Sequence, residues 1–174
     1  MIPPFDHRHI IAGQGTVGLE IAREWADVDI VLAPIGGGGL ASGIAAAVKR
    51  MLPKVKVIGV EPEGSACMRA ALDHGAPKLL PETGSIADGL LPIIAGEVTF
   101  EHAKELMDDV VLVSDEAIRE AAKLLVRRQK LVVEFSGAAT TAALLERRVD
   151  GHGARVAAVI SGGNLEPAVL AELA

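Results

Sequence analysis

Read as hydrophobic and polar positions, the chain alternates between two periods. Val17, Ile21, Ala22 and Trp25 recur at helical spacing and predict a helix over 13–25 with one apolar face. Asp29–Ala33 then runs almost without polar interruption, the pattern of a parallel strand covered on both faces. Leu40–Met51 predicts a second helix, ended by Pro53. Val55–Val60 predicts a strand, and Ser65–Asp73 a short helix closed by His74-Gly75. Residues 77–96 follow neither period, and so long an irregular stretch in a compact domain is expected to cover or line a site. Thr99–Met107 predicts a helix and Val110–Val113 a strand. Ser114 then caps a helix reaching about Gln129, with Asp115 and Glu116 placed for its dipole. Ala138–Arg147 reads as a helix of small residues, Arg155–Ile160 as a fourth strand, and a short helix closes the chain. Strands alternating with helices imply βαβ units: an α/β fold of three αβα layers around a mostly parallel sheet of about four strands.

The pattern breaks most sharply at Ala33-Pro34-Ile35-Gly36-Gly37-Gly38-Gly39-Leu40. A strand, a run of glycines and a helix make an anion cradle, because glycine backbone comes close to a ligand and the helix adds its positive end. Ser161-Gly162-Gly163-Asn164 ends the fourth predicted strand in the same way. Ligands of open α/β sheets bind beyond the carboxyl ends of strands, so the two loops are expected to share one site. Gly13-Gln14-Gly15-Thr16-Val17-Gly18 matches a dinucleotide fingerprint literally. It lacks a preceding strand and an acidic residue after the next one, so its glycines are assigned to a tight helix entry and close packing.

Composition narrows the class. The 174 residues suit one domain, and aromatic residues make up only 2%, so aliphatic packing must dominate the core. A net charge of −6 argues against nucleic-acid binding, and no apolar run approaches the ~18 residues of a membrane span. Cys67 is the single cysteine, which excludes an internal disulfide and fits a reducing, cytoplasmic setting. Residues 1–12 read as a hinge-like tail in which Asp6, His7 and His9 are solvated, ahead of an α/β domain over 13–174.

Five motifs occur in order: Ile11-Ala12-Gly13-Gln14-Gly15-Thr16, Pro34–Leu40, Val60-Glu61-Pro62, Ile86-Ala87-Asp88-Gly89 and Ser161–Asn164. Together they resemble the C-terminal part of the threonine ammonia-lyase (threonine dehydratase) and serine racemase family. These are fold-type II pyridoxal-phosphate enzymes similar to tryptophan synthase β, and the likeness runs from about Pro4 onward. The resemblance implies that the chain is part of the large domain of such an enzyme, with pyridoxal 5'-phosphate as cofactor and a small amino acid as substrate. It implies that Gly36, Gly37, Gly38 and Gly39 hold the cofactor phosphate, that Ser161 hydrogen-bonds the pyridine nitrogen, and that Leu40 and Gly162 also bind the cofactor. Gly89 would lie beside the ring and Glu134 near the substrate side. The implied reaction is β-elimination of water from L-threonine or L-serine, then release of ammonia and a 2-oxo acid.

Three departures qualify that expectation. The family's Schiff-base lysine lies in a serine-x-lysine-x-arginine-glycine context that none of Lys49, Lys54, Lys56, Lys78, Lys104, Lys123 and Lys130 reproduces. The serine-rich loop that binds the substrate carboxylate is also missing, so the chain by itself is expected to be inactive, with no catalytic residue of its own. The family's divalent-cation site would use Glu61 and Ser65, but Cys67 replaces the expected carboxylate, and Mg²⁺ or Ca²⁺ prefers oxygen. A homo-oligomer is expected from apolar surface left uncovered. Other readings stay open: part of a serine racemase or hydroxyaspartate dehydratase, a phosphate-ester binding module without catalysis, or one half of a split enzyme.

Overall fold

A computed structural model describes residues 3–174. Helix α1 spans Arg8–Glu24, strand β1 Ile30–Pro34, α2 Gly39–Met51 and β2 Lys56–Pro62. They are followed by α3 over Cys67–His74, α4 over Glu97–Leu106, β3 over Asp109–Val113 and α5 over Asp115–Leu124. Helix α6 covers Phe135–Leu145, β4 Val156–Ala158 and α7 Pro167–Leu173. The strands form one fully parallel sheet in the order β3-β2-β1-β4.

Strand β1 explains the layering. All of its residues are buried, and successive side chains enter opposite cores. Ile30 and Leu32 join Ile58 and Val60 against Ile118, Ala121 and Ala122 of α5 and the alanines of α6. Val31 and Ala33 join Val57 on the other face, against Ile44, Ala45 and Val48 of α2, Met68 and Ala71 of α3, and Phe100 and Ala103 of α4. The expected three-layer α/β fold is therefore present.

The element bounds differ from the sequence pattern where tertiary partners decide them. Helix α1 begins at Arg8, because the His7 side chain accepts the amide of His9 as an N-cap, and it runs through the expected start at Gly13. The tail ahead of it is anchored rather than solvated. The Asp6 carboxylate accepts the amides of Glu97, Val98 and Thr99 and so caps α4. Strand β4 is shorter than expected, since only Val156–Ala158 pair with Ile30–Leu32 before the chain turns away toward Ser161.

Glycines of the fingerprint-like stretch let α1 cross α2 closely. A Cβ on Gly18 would lie 2.7 Å from the Ile44 carbonyl oxygen, and one on Gly43 would lie 2.4 Å from that of Ile11. Gly13, by contrast, has open space around it and sits inside the helix rather than at its entry. Replacing Gly43 by alanine should therefore destabilise the chain by about 1–3 kcal/mol through overpacking. Gly13→Ala should stabilise it by about 0.4–1 kcal/mol by restricting the unfolded chain. Urea denaturation of the two variants checks this, and equal effects would refute the close crossing.

Candidate functional site

The glycine loop leaves β1 at the carboxyl end of the sheet. Ile35 stays in register by donating its amide to the Val60 carbonyl, and the four glycines then turn into α2. Gly38 adopts φ +94°, which L side chains rarely tolerate, and a Cβ there would meet Met68 and Thr99. The amides of Gly36, Gly37 and Gly38 find no acceptor among the described residues. Gly39 opens α2, where an amide has no partner inside the helix. The loop thus offers a run of unpaired N–H groups at a positive helix end.

These amides border a cleft of about 480 Å³. Gly36–Leu40 form one side, Asp88–Pro92 another, and Glu134, Ser136 and Ser161 a third. Phe5 covers the glycine loop from the remaining side, close enough that a Cβ on Gly37 would overlap its ring at 2.2 Å. The irregular 77–96 stretch therefore does line the site, through a short 3-10 turn at Asp88–Leu90. Among the described residues no lysine or arginine lines the cleft, so an anion there is met by backbone amides. A second cleft of about 600 Å³ lies at the opposite, amino end of the strands, between Asp27–Ile30 and Met51–Lys56.

Each expected site residue has a definite place. Ser161 lies half-buried on the wall of the cleft, and its hydroxyl has no partner among the described residues. Gly162 has φ +79° and faces Glu134, so a Cβ would lie 2.3 Å from that carboxylate. Glu134 lines the cleft but commits one oxygen, Oε2, to the Asn164 amide at 2.8 Å, which fixes the Ser161 loop. Gly89 donates its amide to Ser136 Oγ at 2.9 Å. The glycine loop, Leu40, Gly89, Glu134 and Ser161 are thus brought together, and Gly162 adjoins them behind Glu134.

Glu61 and Ser65 are used differently. Glu61 is fully buried, and its two oxygens accept the amides of Met68 and Arg69, each at 2.8 Å, at the start of α3. Ser65 Oγ lies 3.5 Å from the Pro92 carbonyl. Cys67 turns its thiol to the Gly36 carbonyl at 3.4 Å. Both Glu61 oxygens are thus committed to α3, and among the described residues no three His, Cys, Asp or Glu side chains converge. Phe5, Asp6, Cys67, Thr99 and Ser136 shape the site without a local sequence signal, because their partners lie far along the chain.

Among known proteins, residues 1–162 match the family model described as pyridoxal-phosphate dependent enzyme. The chain belongs to that family. It is 44% identical over 165 residues to the L-threonine ammonia-lyase of Thermotoga maritima, covering 95% of this chain and 41% of that protein. A T.th. threonine deaminase superposes with TM-score 0.87 at 41% identity, covering 94% of this chain and 56% of that one. Maize serine racemase superposes with TM-score 0.91 at 35% identity over 98% of this chain and 53% of that one. The chain therefore spans about half the length of the relatives it matches. The matched structures share its fold, and the family is pyridoxal-phosphate dependent. Unpaired glycine amides at a helix N-terminus fit that cofactor's phosphate.

Burial pushes the Glu61 carboxyl up to about 7, against the opposing pull of its two backbone hydrogen bonds. Its ordinary value is 4.5, so between 4.5 and 7 the folded state binds the extra proton. Stability should accordingly fall as pH rises through that window, by at most about 1.4 kcal/mol per pH unit. Asp29, held down at about 2 by Arg155, loses its contribution only at more acid pH. Denaturation curves from pH 5 to pH 8 check this: the native chain should weaken with rising pH, and Glu61→Gln should flatten the profile. An unchanged slope in the variant would assign it elsewhere.

Proposed function

We propose that this chain forms the phosphate and ring-nitrogen side of the active site of a threonine/serine ammonia-lyase. The observation that carries the reading is the row of amides at Gly36–Gly38, without an acceptor among the described residues, in a loop that lines a cleft together with Ser161. When bound, pyridoxal phosphate supplies the electron sink for charge developing at the substrate α-carbon. Gly36–Gly39 and the N-terminus of α2 hold its phosphate without a cationic side chain. Ser161 offers a neutral hydrogen-bond partner to the ring nitrogen. A hydroxyl is too weak an acid to keep that nitrogen protonated, which suits elimination, where the leaving hydroxide carries charge away. Gly89 leaves room for the ring, and Glu134 keeps the Ser161 loop in position through the Asn164 amide.

The metal pair suggested by the resemblance is not part of this reading, because Glu61 caps α3. The lysine that bonds the cofactor and moves the α-proton is not among the residues lining this cleft. We assign it to the part of the relatives that lies outside the span this chain matches. Strand β4 has an outer edge unpaired among the described residues, and Leu131, Val132 and Ile160 expose apolar surface. Both features support a further polypeptide or a second copy packing on the chain. A serine racemase parent is the second reading, supported by the closeness of the maize enzyme's fold.

Titration separates the possibilities. The chain should bind pyridoxal 5'-phosphate but not pyridoxal, since the phosphate carries the affinity. It should form no 2-oxobutanoate from L-threonine unaided. Equal binding of pyridoxal would contradict the phosphate cradle, and turnover by the chain alone would contradict the half-site.

A further inference from the structure

Thr99 is the third residue of α4 and is wholly buried, a position where an aliphatic residue would ordinarily pack. Every polar group it owns is engaged. Its amide donates to Asp6 Oδ1 at 3.2 Å, its carbonyl accepts from Ser42 Oγ at 3.3 Å, and its hydroxyl lies 2.7 Å from the Gly37 carbonyl. The Gly96 carbonyl is the more distant acceptor, at 3.2 Å, so the hydroxyl proton goes to Gly37.

That hydrogen bond has a directional consequence. In a trans peptide the C=O and the following N–H point to opposite sides. Holding the Gly37 carbonyl from the α4 side turns the Gly38 amide away from α4, toward the cleft. Cys67 does the same one peptide earlier: its thiol lies 3.4 Å from the Gly36 carbonyl, on the side away from the Gly37 amide. Gly38, at φ +94°, completes the reversal into α2.

We infer that Thr99 is a positioning residue for the phosphate cradle, acting through the Gly37 carbonyl to aim the Gly38 amide at the anion. The inference rests on the proposed cofactor-phosphate role of the loop. Asp6 belongs to the same device, because it fixes the first turn of α4 and so the height of Thr99 against the loop. A hydroxyl is required here and a methyl cannot substitute, which accounts for a polar residue at a buried position.

The test uses the full 174-residue chain and equilibrium titration with inorganic phosphate, pyridoxal 5'-phosphate and pyridoxal. Thr99→Val should weaken both phosphate ligands about ten-fold, the equivalent of one net hydrogen bond, while pyridoxal, which lacks the phosphate, binds neither chain. Thr99→Ser should restore binding to within a few-fold of the native chain. A native-like affinity in Thr99→Val, or a Thr99→Ser variant as weak as the valine, would overturn the inference while leaving the cradle reading intact. Failure of the native chain to bind any phosphate ligand would overturn both. If Thr99→Val does not fold, the NMR resonance of the Gly38 amide in the native chain decides: it should shift on adding phosphate, and a silent Gly38 amide overturns the inference.

Discussion

A peptide unit can turn its N–H toward a ligand only when its C=O is satisfied on the far side, because a buried, unpaired carbonyl costs about as much as the ligand contact gains. The Gly36–Gly39 loop meets that constraint with groups drawn from three helices. Cys67 of α3 holds one carbonyl, Thr99 of α4 holds the next, and the amide of Ser42 in α2 donates to the Gly38 carbonyl. With their backs held, the amides are left for the cleft. Glycine is needed in the loop for space as well as for the positive φ of Gly38: Phe5, Met68, Thr99 and Leu90 crowd it.

The sheet holds that loop in place. Burying β1 on both faces places the turn at Gly36 rigidly, and β2, its parallel neighbour, pins Ile35 through the Val60 carbonyl. One residue further along β2, Glu61 reaches into the start of α3 and accepts two of its amides. The burial that makes this cap effective also raises the carboxyl's proton affinity, so the cap is a charged group at the edge of tolerance. It fixes Cys67 in position, and through Cys67 the first peptide of the cradle.

Much of this is legible in the residues themselves. The continuous apolar run of β1, the glycines after it, the helical spacing of α2 and the Ser114 cap each encode their local structure, and the order of elements encodes a parallel sheet. What the sequence hides is non-local. Asp6 sits in a proline-containing tail, and nothing near it announces that its carboxylate caps α4. Glu61 and Ser65 match a cation site by position, yet only three-dimensional packing shows that both carboxylate oxygens already have partners. Thr99 reads as one polar residue on an apolar helix face until the Gly37 carbonyl appears beside it. The extra turn at the start of α1 and the shortening of β4 are likewise set by a side-chain cap and by a strand partner, neither of which a hydrophobic pattern records.

The central claim is that the Gly36–Gly39 amides, at the carboxyl end of the sheet, hold the phosphate of the cofactor. A crystal structure of the chain grown with pyridoxal 5'-phosphate tests it most directly. The account predicts phosphate oxygens within hydrogen-bonding distance of the Gly37 and Gly38 amides and the pyridine ring directed toward Ser161. Phosphate bound instead in the cleft at the amino end of the strands, beside Lys54 and Arg155, would contradict it.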